Sequence, residues 1–385
     1  MGLSTAYQLL LMNPDLKVTI LEKESEVAAH QTSHNSGVIH SGIYYKPGSE
    51  KALNCIRGYT MMIDFCDQQN IDYKICGKVI VATKENELAG LKNIYDRGIQ
   101  NGLKNLKQLN KNQLSEFEPH AVGLQAIHVP QAGIIDYKQV ALKLKSCIGS
   151  KGGSVICNAA VQSILRQSNG WVVTTSNEVY QGNYVITCGG LHSDRLARMT
   201  EDSFDLKIIP FRGEYYTLKP TAQHLIKTLI YPVPNPNFPF LGVHFTSMIH
   251  GGVEAGPNAV WAMGRESYSW KAFHWADTKE TIAYPGFRKV LSKYWRDGLY
   301  EMYRSFSKRA FVQALQTLVP EIQSDDLIVG GSGVRAQAID PNGNIVDDFL
   351  FKQGNDILHV VNAPSPAATS SLSIGAYIAE MVLKN

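Results

Sequence analysis

The sequence holds 385 residues, more than one ordinary core accommodates, so about two domains are expected; 44% hydrophobic and 18% charged side chains exclude a disordered chain. A formal net charge of +3 over this length carries no nucleic-acid footprint, and no uninterrupted apolar run approaches the roughly 18 residues that span a bilayer. Six scattered cysteines without C-x-x-C, and 11 histidines without H-E-x-x-H, predict no disulfide, no metal and a reducing, cytoplasmic setting.

The opening "MGLSTAYQLLLMNPDLKVTILEKE" predicts a helix over 2–12, because Leu3, Ala6, Leu9 and Leu10 recur at three- and four-residue steps. Asn13-Pro14-Asp15 stops it, and "KVTIL" then reads as a short strand ending on Glu22. A helix opened by Gly2 and a strand closed by an acid 20 residues later form the second half of a dinucleotide-binding βαβ unit. A first strand and a glycine-rich turn are expected before it and do not stand in this sequence. Of a late start codon, a trimmed chain and a truncated product, the first is favoured; a chain beginning at Met1 is expected to bind its cofactor weakly and dissolve poorly.

Between His30 and Tyr45 the chain is rich in Gly, Ser, His and Asn but poor in charge, so this loop is expected against something polar and buried. Helical periodicity returns over 51–70, "GKVIVAT" (77–83) reads as a strand, and helices are predicted at about 84–105 and 111–118. Residues 132–153 read as a turn and a helix stopped at Gly149; turn signals at 168–170 and 181–183 then cut the next stretch into a strand meander. Strands and proline-rich connections such as "YPVPNPNFPF" fill 207–285, helices dominate 286–318, and strand, loop and helix close the chain. The simplest arrangement is α/β: one discontinuous domain from 1–76, 140–200 and 325–385, with a β-rich substrate domain from 77–139 and 201–324 inserted into it.

Three motifs suggest a nucleotide. The Glu22 carboxylate, at a strand end, suits the two ribose hydroxyls of an adenosine and would repel a 2′-phosphate. "VITCGG" (185–190) runs a strand into Gly189 and Gly190, where backbone can approach a ligand closely. "NAPSPAATSS" (362–371) places small and hydroxyl residues before a helix expected to start near Ser365 or Thr369, leaving N–H donors for a partial negative charge such as a flavin N1–C2=O edge. A strand-end acid, a tight turn and a capped surface helix are the plainer readings of each.

Together "HQTSHNSGVIHSGIYYKPGS", "PFRGEYY", "PFLGVHFT", "GVRAQAIDPNGNIVDDFLF" and "NAPSPAATSS" resemble the FAD-dependent oxidoreductases of the D-amino-acid oxidase superfamily, most closely the L-2-hydroxyglutarate oxidase/dehydrogenase group. The resemblance runs from residue 2 to the C-terminus. It implies a Rossmann-like FAD-binding domain, here without its first strand and Gly-rich turn, FAD as cofactor, and oxidation of a 2-hydroxy acid by hydride transfer from C2 to flavin N5. Glu22 would meet the ribose, Gly2 and Lys23 would also contact the cofactor, and Thr32, Ser33, Ser36 and Gly37 would lie along the pyrophosphate towards the ring. Val161 would meet the adenine, Gly189 and Gly190 the diphosphate, and Pro366, Ala367, Ala368 and Thr369 the flavin pyrimidine.

The substrate carboxylate then falls to Arg335, whose guanidinium fork matches it bidentately. Arg212 and Arg265 are candidates for the distal carboxylate, and Tyr44, Tyr45 and Tyr215 for orienting the substrate. His40 and His244 are the candidate bases, since a neutral imidazole takes an alcohol proton; a buried structural histidine is the competing reading of both. Oxygen or a quinone would take the electrons, with peripheral contact at the inner face of a membrane in the second case. An amino-acid oxidase of the same superfamily, an NAD-dependent dehydrogenase and a non-catalytic remnant are the alternatives.

Overall fold

The helix Gly2–Met12 buries every residue from Ser4 to Leu10 because helices cover it on two sides, Tyr137–Ser150 and the closing helix Ser371–Leu383. The structure is a computed structural model, and it describes residues 1–201, 203–235 and 241–384. After the Asn13 stop, Thr19–Leu21 pairs in parallel with Ser154–Ile156, and Glu22 extends that edge by donating its amide to Ile156 O at 2.8 Å. A second piece of sheet joins Val185–Thr187 in parallel to Ile357–Asn362, which also pairs with Leu350–Gly354. Among the described residues the two pieces share no ladder, and the free edges of Thr19–Leu21 and Val185–Thr187 line the same cavity.

A larger, mostly antiparallel sheet of nine strands carries the rest. Its order runs Val260–Trp261, Lys207–Leu218, Val253–Gly256, His244–Ser247, Leu229–Pro232, Lys78–Ala82, Gln125–Val129 and Lys107–Asn110, with Leu327–Ile339 added on Lys207–Leu218. After Lys78 the run "KVIVA" is apolar at every position because both faces of its strand are covered, as the two-residue period requires. Val79 and Val81 pack with Phe245, Phe311 and Leu315, while Ile80 and Ala82 pack with Leu91, Ile94 and Ile127 under the helix Leu88–Gln100. The long strand Leu327–Ile339 pairs Lys207–Leu218 from Leu327 to Ile339, so residues 327–339 join this sheet.

Several elements are placed differently from the sequence reading. The helix expected over 84–105 is a short turn at Glu85–Glu87 followed by Leu88–Gln100, closed where Gly102 takes φ +78°. The loop between His30 and Tyr45 contains a two-residue strand, Val38–Ile39, paired with Gly133–Ile135. The closing helix begins at Ser371, six residues beyond the earlier of the two expected starts. Residues 236–240 of the proline-rich connection, and with them the Pro239-Phe240 start of "PFLGVHFT", lie outside the described residues. All six cysteines are free thiols.

Candidate active site

One cavity of about 1950 Å³ runs from the edge of Thr19–Leu21 to the large sheet, and the scattered motifs meet on it. Gly2, Glu22, Lys23, Thr32, Ser36, Val161, Gly189, Gly190, Pro366, Ala367 and Ala368 line it, as do His40, His244 and Arg335. Glu22, Gly190, Arg335 and Pro366, distant in sequence, therefore share one wall system. Ser33, Gly37 and Thr369 are not on that wall. Ser33 is exposed and donates its hydroxyl to Ala28 O, while Gly37, at φ +62°, lies against the Ile135 carbonyl. Thr369 is fully buried one layer back, where its hydroxyl accepts from the His40 amide at 3.0 Å and shares a hydrogen bond with Tyr137 at 2.8 Å. It sets the backbone of a lining residue instead of touching the cavity itself.

Two glycines explain how separate segments come this close. A Cβ on Gly58 would stand 2.6 Å from Ser370 Cα, so the helix Glu50–Gln69 passes directly beneath the "NAPSPAATSS" segment. A Cβ on Gly333 would stand 2.3 Å from His34 O, so the "HQTSHNSGV" loop lies on the long strand. Arg335 follows two residues later, on the same face of that strand as Gly333. The Gly-x-Arg spacing thus brings the guanidinium beneath the loop that edges the cavity.

Around Arg335 the cavity ends in a cationic, aromatic pocket. Arg335 is partly buried and stands on the cavity wall, where desolvation pulls its pKa below the usual guanidinium value, with Tyr215 and Tyr231 opposing that shift. Tyr215 shares a hydrogen bond with Ser36 at 3.1 Å, tying strand to loop. His244 has its ring 4.0 Å from that of Tyr231 and its Nδ1 2.9 Å from Gly242 O. A carbonyl only accepts, so Nδ1 carries the proton and Nε2 keeps its lone pair. Burial, then the Arg335 and Lys78 charges, hold His244 down to about 3 against the opposing bond to Gly242. His40 is also held down to about 3, by burial first and then by Lys78 and His244. Both imidazoles are neutral at physiological pH. The Tyr44 hydroxyl, buried and on the cavity wall, has no hydrogen-bond partner in the protein.

Lys78 is the residue that sequence reasoning missed. It is 1% exposed, with its ammonium 4.5 Å from the Tyr44 ring centre and 4.8 Å from that of Tyr231, and burial lowers its pKa to about 7. A lysine opening an otherwise apolar, doubly covered strand was the available signal. Arg212 and Arg265, in contrast, are committed away from the cavity. Arg212 bonds Glu214 at 2.9 Å and stacks on Trp270; Arg265 bonds Asp194 at 2.9 Å and the Leu191 carbonyl at 2.6 Å. Neither lines the cavity, so neither is placed to hold a distal carboxylate.

At the opposite end Lys23 bridges Glu24 and Glu266, and Glu266 also takes His192 at 2.7 Å. The His192 hydrogen bond, reinforced by Lys23, holds Glu266 down to about 2 against the cost of burial. Glu24, His30 and Glu266 have the spacing of a cation site, but the Lys23 ammonium already supplies the positive charge there.

The lining suits a flavin dinucleotide. The helix Gly2–Met12 begins at the cavity without a side-chain cap bond, so its first amides are available to a phosphate; Ser371–Leu383 also begins there, with its Ser371 amide donating to Ala368 O at 3.3 Å. The buried Thr5 hydroxyl, in the first turn of the first helix and on the wall, has no partner in the protein. The Glu22 carboxylate accepts the Glu24 amide at 3.0 Å and stands at the strand end where a ribose is held in such folds.

Residues 1–381 match the family model described as FAD dependent oxidoreductase. The chain is 52% identical over its full length to an L-2-hydroxyglutarate dehydrogenase of Indibacter alkaliphilus, covering 96% of that protein. It is 44% identical over 99% of its length to the human mitochondrial L-2-hydroxyglutarate dehydrogenase, covering 86% of it. Among solved structures, FAD-bound L-alpha-glycerophosphate oxidase from Mycoplasma pneumoniae superposes with a TM-score of 0.78 at 20% identity, over 99% of this chain and 91% of that one. Glycine oxidase from Geobacillus kaustophilus does so at 0.75 and 16%, over 100% and 92%; these two likenesses concern the fold. The full-length family match and the close relatives agree with the cavity's own chemistry, and the chain belongs to the FAD-dependent oxidoreductase family, in its L-2-hydroxyglutarate dehydrogenase branch.

Proposed function

We propose that this protein oxidises L-2-hydroxyglutarate to 2-oxoglutarate. The observation that carries the reading is the end of the cavity where Arg335, His40 and His244 share the wall, with the Lys78 ammonium one layer behind it against the Tyr44 and Tyr231 rings: positive charge for a diacid, and lone pairs for a proton. When bound, FAD would supply the acceptor for the hydride leaving C2. Gly2, Glu22, Lys23, Thr32, Ser36, Val161, Gly189, Gly190 and Pro366 to Ala368 would hold it. Arg335 grips the C1 carboxylate, a charge-assisted pair strengthened by burial. Nε2 of His244 accepts the hydroxyl proton, and Tyr44 donates its unpartnered hydroxyl to the substrate. Lys78, behind the Tyr44 and Tyr231 rings, offsets the second carboxylate, and the bound dianion in turn raises the proton affinity of both histidines.

The test is anaerobic. Protein carrying FAD is expected to lose its flavin absorbance on addition of L-2-hydroxyglutarate and to yield 2-oxoglutarate. Bleaching by glycine or a D-amino acid instead would move the protein to the amino-acid oxidases, and an unreactive bound flavin would make it a non-catalytic member. Electrons then pass to oxygen or to a quinone, and for the quinone the protein associates peripherally with a membrane. We also read residues 1–76, 140–200 and 340–385 as the flavin-binding part and the large sheet as the substrate-binding part.

Lys78 gives a pH signature. It is charged below about 7 and neutral above, so kcat/KM for the dianion is expected to decline as pH rises through that value. The groups acting on it are Tyr44, Tyr231, Cys55, His40 and His244. In Lys78→Met the pH profile of kcat/KM should be flat there, at a lower level. A decline retained in Lys78→Met would take this role from the lysine.

A further inference from the structure

The helix Pro285–Phe306 turns its apolar side outward. Past a kink at Tyr294, Trp295, Leu299, Met302, Tyr303 and Phe306 stand at i, i+4, i+7, i+8 and i+11, one face of a helix, and they are 39–67% exposed. The inward face is occupied by other groups: Glu301 is buried and accepts the Ala259 amide at 2.9 Å, and its neighbour Arg304 pairs with it. Before the kink Leu291 is also exposed, and Phe306 stacks on Trp270 at 4.7 Å, continuing the apolar surface beyond the helix. So large an aromatic and aliphatic stripe on a surface marks a contact site.

The charge beside the stripe selects the occupant. Arg288, Lys289, Lys293 and Arg296 are exposed on this helix, against Asp297 as its exposed acid. An apolar face rich in Trp, Tyr and Leu with a basic flank is the composition of helices that lie in a bilayer interface, where the aromatic rings sit at headgroup level and lysine and arginine meet anionic lipid. Among the described residues no helix is long and apolar enough to cross a membrane, so contact here would be in the plane of the surface.

We propose that the outward stripe of Pro285–Phe306, with its basic flank, is the surface by which this protein docks on an anionic phospholipid bilayer. This deepens the peripheral association suggested above and rests on it. The flavin-loaded protein is mixed, without substrate, with phosphatidylcholine vesicles containing roughly one-third phosphatidylglycerol, and with pure phosphatidylcholine vesicles. Sedimentation is expected with the anionic vesicles, weakening with salt. Trp295→Ser/Leu299→Ser and, separately, Lys293→Glu/Arg296→Glu are each expected to weaken partition about tenfold or more while flavin reduction in solution is unchanged. No binding of the wild type to anionic vesicles at low salt overturns both the surface and the peripheral association. Binding that neither double variant changes overturns the surface alone. A concentration-dependent dimer, dispersed by Trp295→Ser/Leu299→Ser in the absence of lipid, assigns the stripe to a second copy and also overturns it.

Discussion

Arg335→Ala is expected to lower kcat/KM for L-2-hydroxyglutarate by about 30- to 5000-fold, since truncating one partner of a buried, hydrogen-bonded charge pair costs about 2–5 kcal/mol. The size of the effect follows from position. Arg335 sits deep in the pocket beneath the His34–Ser36 loop, where charge is poorly screened and water is a weak substitute for the lost fork. Arg335→Lys should recover only part of the loss, because an ammonium restores charge without the paired N–H groups that match a carboxylate. Steady-state kinetics decide the matter, with flavin content measured in each variant. An unchanged kcat/KM in Arg335→Ala would remove this residue from substrate binding.

The second large effect concerns proton removal. His244→Asn keeps a side-chain N–H for the Gly242 carbonyl but deletes Nε2, and kcat should fall about 10²- to 10⁴-fold, the usual contribution of a positioned general base. His40→Asn is the comparison. A smaller fall there assigns the base to His244, and the reverse order assigns it to His40. The sign of the pH dependence follows from the same burial: a group that works deprotonated and is held down to about 3 produces no acidic limb above about pH 4. A kcat/KM that climbs steeply between pH 5 and 7, with the climb lost in His244→Asn, would show the imidazole to be far more basic than its surroundings imply.

Much of the site was legible because its residues obey local rules. The Gly2–Met12 helix, the Glu22 strand end and the Gly189-Gly190 turn are each written in a few consecutive residues, and all three reach the cavity. Ser33 and Thr369 lie off the cavity wall, a placement that motif reading does not give. A residue inside a ligand-binding segment alternates between facing the ligand and holding the backbone, and neighbours such as Thr32 and Ala368 line the cavity while these two do not. Arg212 and Arg265 show a different limit. An arginine's role depends on which carboxylate folds against it, and Glu214 and Asp194 claim these two. Lys78 escaped notice because an isolated lysine is ordinarily solvated; only the closure of Tyr44 and Tyr231 over it made the charge internal.

By itself, then, the amino-acid order determined most of the local elements and the α/β character, since helix and strand periods and turn chemistry act over a few residues. The tertiary structure alone decided which side chains share the cavity, which arginine stands on its wall, and which imidazole nitrogen keeps its lone pair. Those outcomes depend on contacts between residues up to some three hundred positions apart, such as His40 with Thr369, and on the loss of water around them, neither of which any short stretch of chain encodes.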